Sequence, residues 1–147
     1  MSLDIFHEDR YKLLMQEHLG ETIAFLLDQG EEFAVACDMR HVRFDPELPR
    51  ELRSEMDDVS LFVIGGYTFE TARLFDDELI FEAGFGEESF GSLLSIPLLS
   101  IKQIFVDQYP IAINITEPMR KKSTQATERS MSALLNNPEN QRLLKKT

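Results

Sequence analysis

The residue types that usually carry out catalysis or bind metals are few in this chain and lack a functional spacing. The three histidines, His7, His18 and His41, form no His-x-x-x-His pair and no Cys/His ligand pattern, so we predict neither a metal site nor another cofactor. A catalytic thiol needs a base held beside it, whereas Cys37 lies within Ala-Val-Ala-Cys-Asp, a pattern typical of a buried strand. We therefore interpret Cys37 as a small core residue.

The glycines and the paired acidic residues also lack a catalytic pattern. Gly65-Gly66 is not followed by the Lys-Ser/Thr of a phosphate-binding loop, and we expect it to form a turn rather than to open a helix. The pairs Asp57-Asp58, Asp76-Asp77 and Glu87-Glu88 lie beside predicted turns, where solvated carboxylates are usual, and nothing further supports a glycosidase-type pair. We predict that the protein is not an enzyme. A hydrolase with a convergent acid–base pair is the catalytic alternative.

The chain has the size of one domain and carries no membrane-spanning pattern. Its 147 residues are 43% hydrophobic, which suffices for one core but leaves no room for two. No apolar stretch is long enough to cross a bilayer, so we predict no membrane partner. The first residues, MSLDIFHEDR, have neither the basic nor the apolar region of a secretion signal, and a lone cysteine suits a reducing compartment. We expect a cytoplasmic protein.

Charge divides the chain into an acidic body and a basic tail. The net charge is −11, but residues 119–147 contain seven Lys and Arg against two Glu, a net +5, which leaves −16 on residues 1–118. An acidic body repels phosphate backbones, so we predict no nucleic-acid partner. The composition of 119–130 is typical of a linker. The remaining tail has basic and apolar residues, and its spacing over 131–146 also allows a helix.

Apolar periodicity predicts an N-terminal helix that is followed by short strands. Over Asp9–Asp28, apolar residues recur at helical spacing, and Gly30 lies where a C-terminal cap is expected. Strands are predicted at Glu32–Asp38, Val59–Ile64, Thr68–Leu74, Leu79–Phe85, Leu93–Ile96 and Ala112–Ile115, with a turn at Asp76-Asp77 and a brief helical turn starting at Pro97. This order predicts a mainly β fold with an N-terminal α-helix, in which a small, bent antiparallel sheet forms an open barrel.

The region from Asp76 to Pro118 contains the best candidate for a binding site. Phe81, Ala83 and Phe85 alternate onto one face of the predicted strand, and most of that face must be core. Ala83 and the neighbouring Gly84 are small, which allows another backbone or side chain to approach the strand. A groove floored by this strand and walled by Ile113 or Ile115 would accept an extended peptide.

Three segments of this region resemble the stringent starvation protein B (SspB) family. They are Ile-Phe-Glu-Ala-Gly-Phe-Gly at 80–86, Leu-Ser-Ile-Pro-Leu-Leu-Ser-Ile at 94–101 and Thr-Glu-Pro at 116–118. The resemblance covers about 9–118 and is most specific over 76–118. It implies an Sm-like barrel with an N-terminal helix and a non-catalytic adaptor function. Family members bind ssrA-tagged polypeptides and deliver them to the ClpXP protease.

The resemblance also implies roles for individual residues. Ala83 matches the small residue that floors the family's tag-binding groove, and Ile115 matches an apolar wall; we add Phe85 and Ile113 as candidate groove residues. Residues 1–118 would form the tag-binding domain. The family dimerises through its N-terminal helix, which suggests Tyr11, Leu14 and His18 for a homodimer interface. Residues 119–147 would form a linker and tail, whose docking residues on the ClpX unfoldase would be Arg142, Leu143, Leu144 and Lys145.

Two binding functions compete with the adaptor. A secretion-type chaperone is also small, acidic and dimeric, and it would present a wide nonpolar surface to one dedicated partner. An Sm-like RNA-binding protein would need a basic, aromatic-lined loop or pore, and the −16 charge of residues 1–118 argues against it.

Overall fold

The structure, a computed structural model, describes residues 3–118. The predicted linker and tail, and with them the docking candidates Arg142, Leu143, Leu144 and Lys145, lie outside the described residues.

A 21-residue helix opens the fold, after a 3-10 turn at Leu3–His7. Helix α1 spans Asp9–Gln29 and ends at Gly30, which adopts the left-handed conformation (φ 71°) and donates its N–H to the last turn. Both the helix and its glycine cap are therefore confirmed. The buried face of α1 includes Leu19, Ile23 and Leu26, and the helix packs against the Leu98–Ser100 turn and β4, defined below.

Within residues 3–118, eight strands and two short helices follow α1. The strands are β1 Phe33–Asp38, β2 Arg43–Asp45, β3 Val59–Ile64, β4 Arg73–Phe75, β5 Glu78–Phe85, β6 Phe90–Pro97, β7 Ile101–Val106 and β8 Tyr109–Ile113. The short helices are α2 Arg50–Ser54 and α3 Gly66–Thr71, and further 3-10 turns lie at Met39–His41 and Leu98–Ser100.

The strands form two four-stranded antiparallel sheets. The first sheet has the order β3-β1-β7-β8 and the second has the order β2-β6-β5-β4. Every pairing within them is antiparallel. The chain is thus a mixed α/β domain with an N-terminal helix and two separate sheets, which do not close into a barrel.

The core is formed by one face of each sheet together with α1. Val35 and Ile104 from the first sheet, Phe81 and Leu94 from the second sheet, and Ile23 from α1 are all fully buried. Because strand side chains alternate between faces, each sheet keeps a second face outside this core. Cys37 is buried within it, as the sequence predicted, and burial raises the pKa of its thiol far above the usual value.

Several predicted elements are wrong in type or extent. Thr68–Leu74 is not a strand, because Gly65 and Gly66 open helix α3, and only Arg73–Phe75 is extended. The helical turn after Pro97 lasts three residues and gives way to β7, which the sequence reading missed. The last strand ends at Ile113, so Ile115 lies beyond it.

Candidate functional site

An open groove of about 910 Å³ lies at one end of the second sheet. Strands β5 and β6 form its floor, and helix α3 stands on one side. The segment that follows β2 stands on the other. Its lining residues are Asp45, Pro46, Gly65, Tyr67, Thr68, Arg73, Glu82, Ala83, Gly84, Ser89, Gly91, Ser92 and Leu93.

The floor of this groove consists of small residues on paired strands. Ala83 of β5 is opposite Ser92 of β6, and Gly84 is opposite Gly91. A Cβ atom added at Gly91 would meet no atom within 4 Å, so the space above it is open. Because no large side chain covers this part of the two strands, the backbone of an extended ligand can approach the floor closely.

Helix α3 forms the first wall and is held by contacts on both of its sides. The backbone N–H of Gly66 donates to Glu32 Oε2 at 2.9 Å, which fixes the start of the helix. Phe69 packs edge-on against Phe33, with 6.4 Å between the ring centroids. These contacts orient the helix so that Tyr67 and Thr68 line the groove.

A set of polar groups lies along the same wall. The Tyr67 hydroxyl donates to Glu82 Oε1 at 3.0 Å, and this hydrogen bond to a carboxylate raises the pKa of Tyr67. The backbone N–H of Glu82 donates to Thr71 Oγ1 at 2.9 Å, and Arg73 Nη1 donates to Thr71 O at 3.1 Å. A guanidinium carries five N–H donors, so Arg73 can also bind a carbonyl or carboxylate of a ligand.

The second wall is the segment after β2, at an end of the second sheet. Ser92 Oγ donates to Pro46 O at 2.8 Å, which ties this wall to the floor. A second cavity of about 480 Å³ continues along β2; Asp45 and Leu93 line both cavities. Because they share these residues, the two cavities are neighbours, and together they form an elongated depression of the kind that binds an extended chain.

Phe85 lies beside the groove floor but does not line the groove. Its ring packs edge-on against Phe44 and Phe62, with centroid distances of 5.7 Å and 6.3 Å. Phe62 in turn contacts Phe81. The predicted alternation of Phe81, Ala83 and Phe85 is therefore correct for the inner face, but Phe85 supports the floor from below instead of presenting its ring to a ligand.

Ile113 and Ile115 do not line this groove, although the sequence reading placed them on its wall. Ile113 belongs to β8 of the first sheet, and both side chains are exposed. Ile115 points outward because its two neighbours are anchored inside. Asn114 donates from Nδ2 to Leu99 O and Ile101 O, both at 2.9 Å, and accepts the backbone N–H of Thr116 at 2.9 Å.

Thr116 extends this polar anchor to the N-terminal turn. Its hydroxyl donates to Phe6 O, and its carbonyl accepts Lys102 Nζ. Arg40 Nη2 donates to Glu117 Oε1 at 3.2 Å. Asn114, Thr116 and Glu117 thus form a polar clip that holds the end of the described chain against the domain.

The predicted dimer residues divide into one packed side chain and two exposed ones. Tyr11 is half-buried and contacts the ring of Phe6, with 5.5 Å between centroids. Leu14 and His18 are exposed, and Phe25, which the sequence reading missed, is exposed at the same helical face. Their side of α1 lies away from the buried residues Leu19, Ile23 and Leu26.

The sequence reading missed most of the groove walls because they come from distant segments. Thr68 was predicted to begin a strand, and Tyr67, Asp45 and Pro46 were assigned no binding role. A six-residue helix such as α3 is too short for apolar periodicity to identify. The available signal was the glycine pair before Tyr-Thr-Phe-Glu, since glycine is accepted at a helix N-cap.

The chain has no match among the family models or among the curated proteins compared with it. Over residues 3–118, no group of three or more His, Cys, Asp or Glu side chains is arranged to hold a metal ion. In that same part of the chain, no helix combines the length and apolar character needed to cross a membrane.

Proposed function

We propose that this protein is a non-catalytic, cytoplasmic adaptor that binds an extended peptide in the groove above Ala83. The observation that carries the proposal is the uncovered floor formed by Ala83, Gly84, Gly91 and Ser92 between two walls. A shallow floor of this kind suits an extended backbone, because a compact ligand would leave most of the floor in water. Tyr67 and Arg73 supply polar groups that would orient the peptide.

The resemblance to the SspB family suggests the nature of that peptide. We propose an ssrA-like degradation tag as ligand and delivery of the tagged polypeptide to ClpXP as the outcome. The family's Sm-like barrel belongs to this proposal, with the two sheets of the present fold as its counterpart. Arg142–Lys145 would dock on ClpX, and a tethered docking peptide would raise the local concentration of cargo at the unfoldase to about millimolar.

A homodimer through α1 completes the proposal. Leu14 and Phe25 are exposed apolar side chains on one side of α1, with the exposed His18 between them, and this side lies away from the buried one. Exposed apolar side chains that share one helical face are suited to pack against a second copy of the same helix.

Peptide binding by fluorescence anisotropy tests the proposed function. A labelled peptide ending in Leu-Ala-Ala, with an ssrA-type sequence, should bind saturably, whereas a scrambled peptide should not. Gly91→Gln should weaken binding because a Cβ at position 91 meets no atom within 4 Å, so the longer side chain would extend over the floor. If it displaces one buried apolar side chain of the peptide, the loss is about 1.5–3 kcal/mol, or roughly tenfold to a hundredfold in Kd.

Gly91→Ala is the matched control, because alanine stays small and should retain most of the affinity. Thermal unfolding of both variants separates a blocked groove from a damaged fold. If Gly91→Gln folds normally and binds the peptide as tightly as the unsubstituted chain, the groove is not the binding site.

A secretion-type chaperone is the second candidate, and one observation favours it. The outer face of the first sheet exposes Val59, Leu61 and Val63 on β3 and Ile113 on β8, and such a chaperone would use a wide nonpolar surface. This function predicts stable binding of one folded or partly folded partner and no affinity for short C-terminal tags.

A further inference from the structure

The outer face of the first sheet is mostly apolar, with Gln103 as the polar residue in its two central rows. In one row, Leu61, Ala36, Gln103 and Ile113 are opposite one another, and in the next row Val63, Ala34, Phe105 and Pro110 are. Leu61, Val63 and Ile113 are 59%, 69% and 55% exposed. We call this surface, with Val59, the outer apolar face. A continuous exposed apolar surface of this kind is characteristic of an interaction site.

Acidic residues border this face at both ends of its strands. Glu31 and Glu32 precede β1 and Asp107 follows β7 at one end, while Asp57 and Asp58 precede β3 at the other; all five are exposed. Strands β1, β3 and β8 contain no Lys or Arg.

The single cation of β7 does not alter this pattern. Lys102 is half-buried and donates from Nζ to Leu99 O at 3.3 Å and to Thr116 O. Its ammonium group is therefore bound within the polar clip and does not face the outer apolar face. The occupant that this surface suits is therefore apolar in its middle and basic at its ends.

We propose that the tail of this same chain, residues 128–146, docks on the outer apolar face. Its apolar residues Met131, Leu134 and Leu135 lie between Arg129 on one side and Arg142, Lys145 and Lys146 on the other. This order matches an apolar face with acidic borders. The tail carries net positive charge and residues 1–118 carry −16, so electrostatic attraction favours the contact.

The point at which the tail leaves the domain makes this contact reachable. The described chain ends at Pro118, shortly after β8, and β8 is itself one strand of the face. Residues 119–127 can span up to roughly 30 Å when extended. Four strands are only about 14 Å across from the first to the last, so Met131 can reach any part of the face.

A second copy of the domain is a poorer occupant than the tail. Packing two outer apolar faces together would bring the acidic borders of two bodies, each of charge −16, close to one another. The tail removes that repulsion and covers the apolar side chains at the same time.

Docking would place residues Arg142–Lys145 on the domain surface. This consequence rests on the proposed function, in which the same residues dock on ClpX: the seated tail would withhold them until it is displaced. The contact itself does not depend on that function.

Paramagnetic relaxation in the full-length chain tests the inference. A nitroxide is attached to Ser132→Cys, and the methyl signals of Val59, Leu61, Val63 and Ile113 are recorded. Cys37 is buried with a raised thiol pKa, so the label should react only at position 132, and the unsubstituted chain checks this. We expect loss of the four face signals, whereas the Leu93 signals, from the second sheet, should persist.

Two further samples make the result decisive. Replacing Leu134 and Leu135 by serine in the labelled chain should restore the face signals. A mixture of nitroxide-bearing, NMR-silent chains with isotope-labelled, nitroxide-free chains should show no loss, because the contact is within one chain. Loss in the mixture would overturn docking in cis in favour of contact between copies. If the signals of Val59, Leu61, Val63 and Ile113 all persist in the first sample, the tail does not dock on the outer apolar face and the proposal is overturned. A separate protein partner would then be the remaining occupant of this face.

Discussion

Replacing Asn114 with alanine should destabilise the domain by breaking the polar clip after β8. The Asn114 side chain is 2% exposed and makes three hydrogen bonds, to Leu99 O, Ile101 O and the backbone N–H of Thr116. Each such bond contributes about 0.5–1.5 kcal/mol net, and an orphaned buried group costs more. Leu99 O keeps a second donor, Lys102 Nζ, so the expected loss is about 2–3 kcal/mol.

Urea unfolding at neutral pH measures this loss. The midpoint should fall while the m-value stays unchanged, because the surface exposed on unfolding is the same. Ser54→Ala is the matched control: its hydroxyl also makes a hydrogen bond, to Glu51 O at 3.0 Å, but in an exposed position, and the expected change is below about 0.5 kcal/mol. A loss under about 1 kcal/mol for Asn114→Ala would refute the clip as a main support of this segment.

Three other substitutions test separate parts of the account. The Arg40 guanidinium donates hydrogen bonds to the Asp38 carboxylate and lowers the pKa of that carboxyl. The ionised Asp38 therefore stabilises the fold fully above its unfolded pKa, near 4. This stabilisation is lost as the pH falls through the lower pKa of Asp38 in the folded state. Asp38→Asn should therefore show a shallower loss of stability below about pH 4 in acid titrations monitored by circular dichroism, and an unchanged acid limb would contradict this linkage. Leu14→Glu should weaken self-association by about tenfold in sedimentation equilibrium, whereas Leu13→Glu, about 100° around the helix, should not; equal effects would argue against this side of α1 as the interface. Gly86→Ala should cost about 1–2 kcal/mol in thermal unfolding, because Gly86 has φ 76°, and full stability of this variant would show that the turn accepts another conformation.

The sequence predicted best those elements whose signals are local and repeated. Helix α1 has several turns of apolar periodicity and a glycine cap, and both were identified within a residue. The Asp76-Asp77 turn was also predicted, and both residues have positive φ, at 53° and 61°, as a two-residue hairpin turn requires. Strand β5 is likewise close to its predicted bounds.

Elements with short or ambiguous signals were missed. Residues 66–71 contain aromatic and β-branched side chains that favour strands, yet the contact between Phe69 and Phe33 holds them as a helix. In β7, the run after Pro97 suits a helix or a strand equally by apolar pattern, and pairing with β1 and β8 decides for the strand.

The candidate site was predictable only in its floor. Ala83 and Gly84 stand out as small residues within an apolar strand, and both line the groove. The walls depend on long-range contacts, such as that of Ser92 with Pro46, which no local pattern encodes. Ile113 and Ala83 lie in different sheets. The sequence predicted a single sheet, which is why it placed both residues at the same groove.

The most direct test of the proposed function is to map the peptide on the isotope-labelled full-length chain by NMR titration. An ssrA-type peptide should shift the amide signals of Ala83, Gly84 and Gly91 in a saturable way, and should leave that of Leu61 on the outer apolar face in place. Shifts confined to the outer apolar face, or no shifts at peptide concentrations up to about millimolar, the range in which a tethered interaction operates, would contradict the adaptor function.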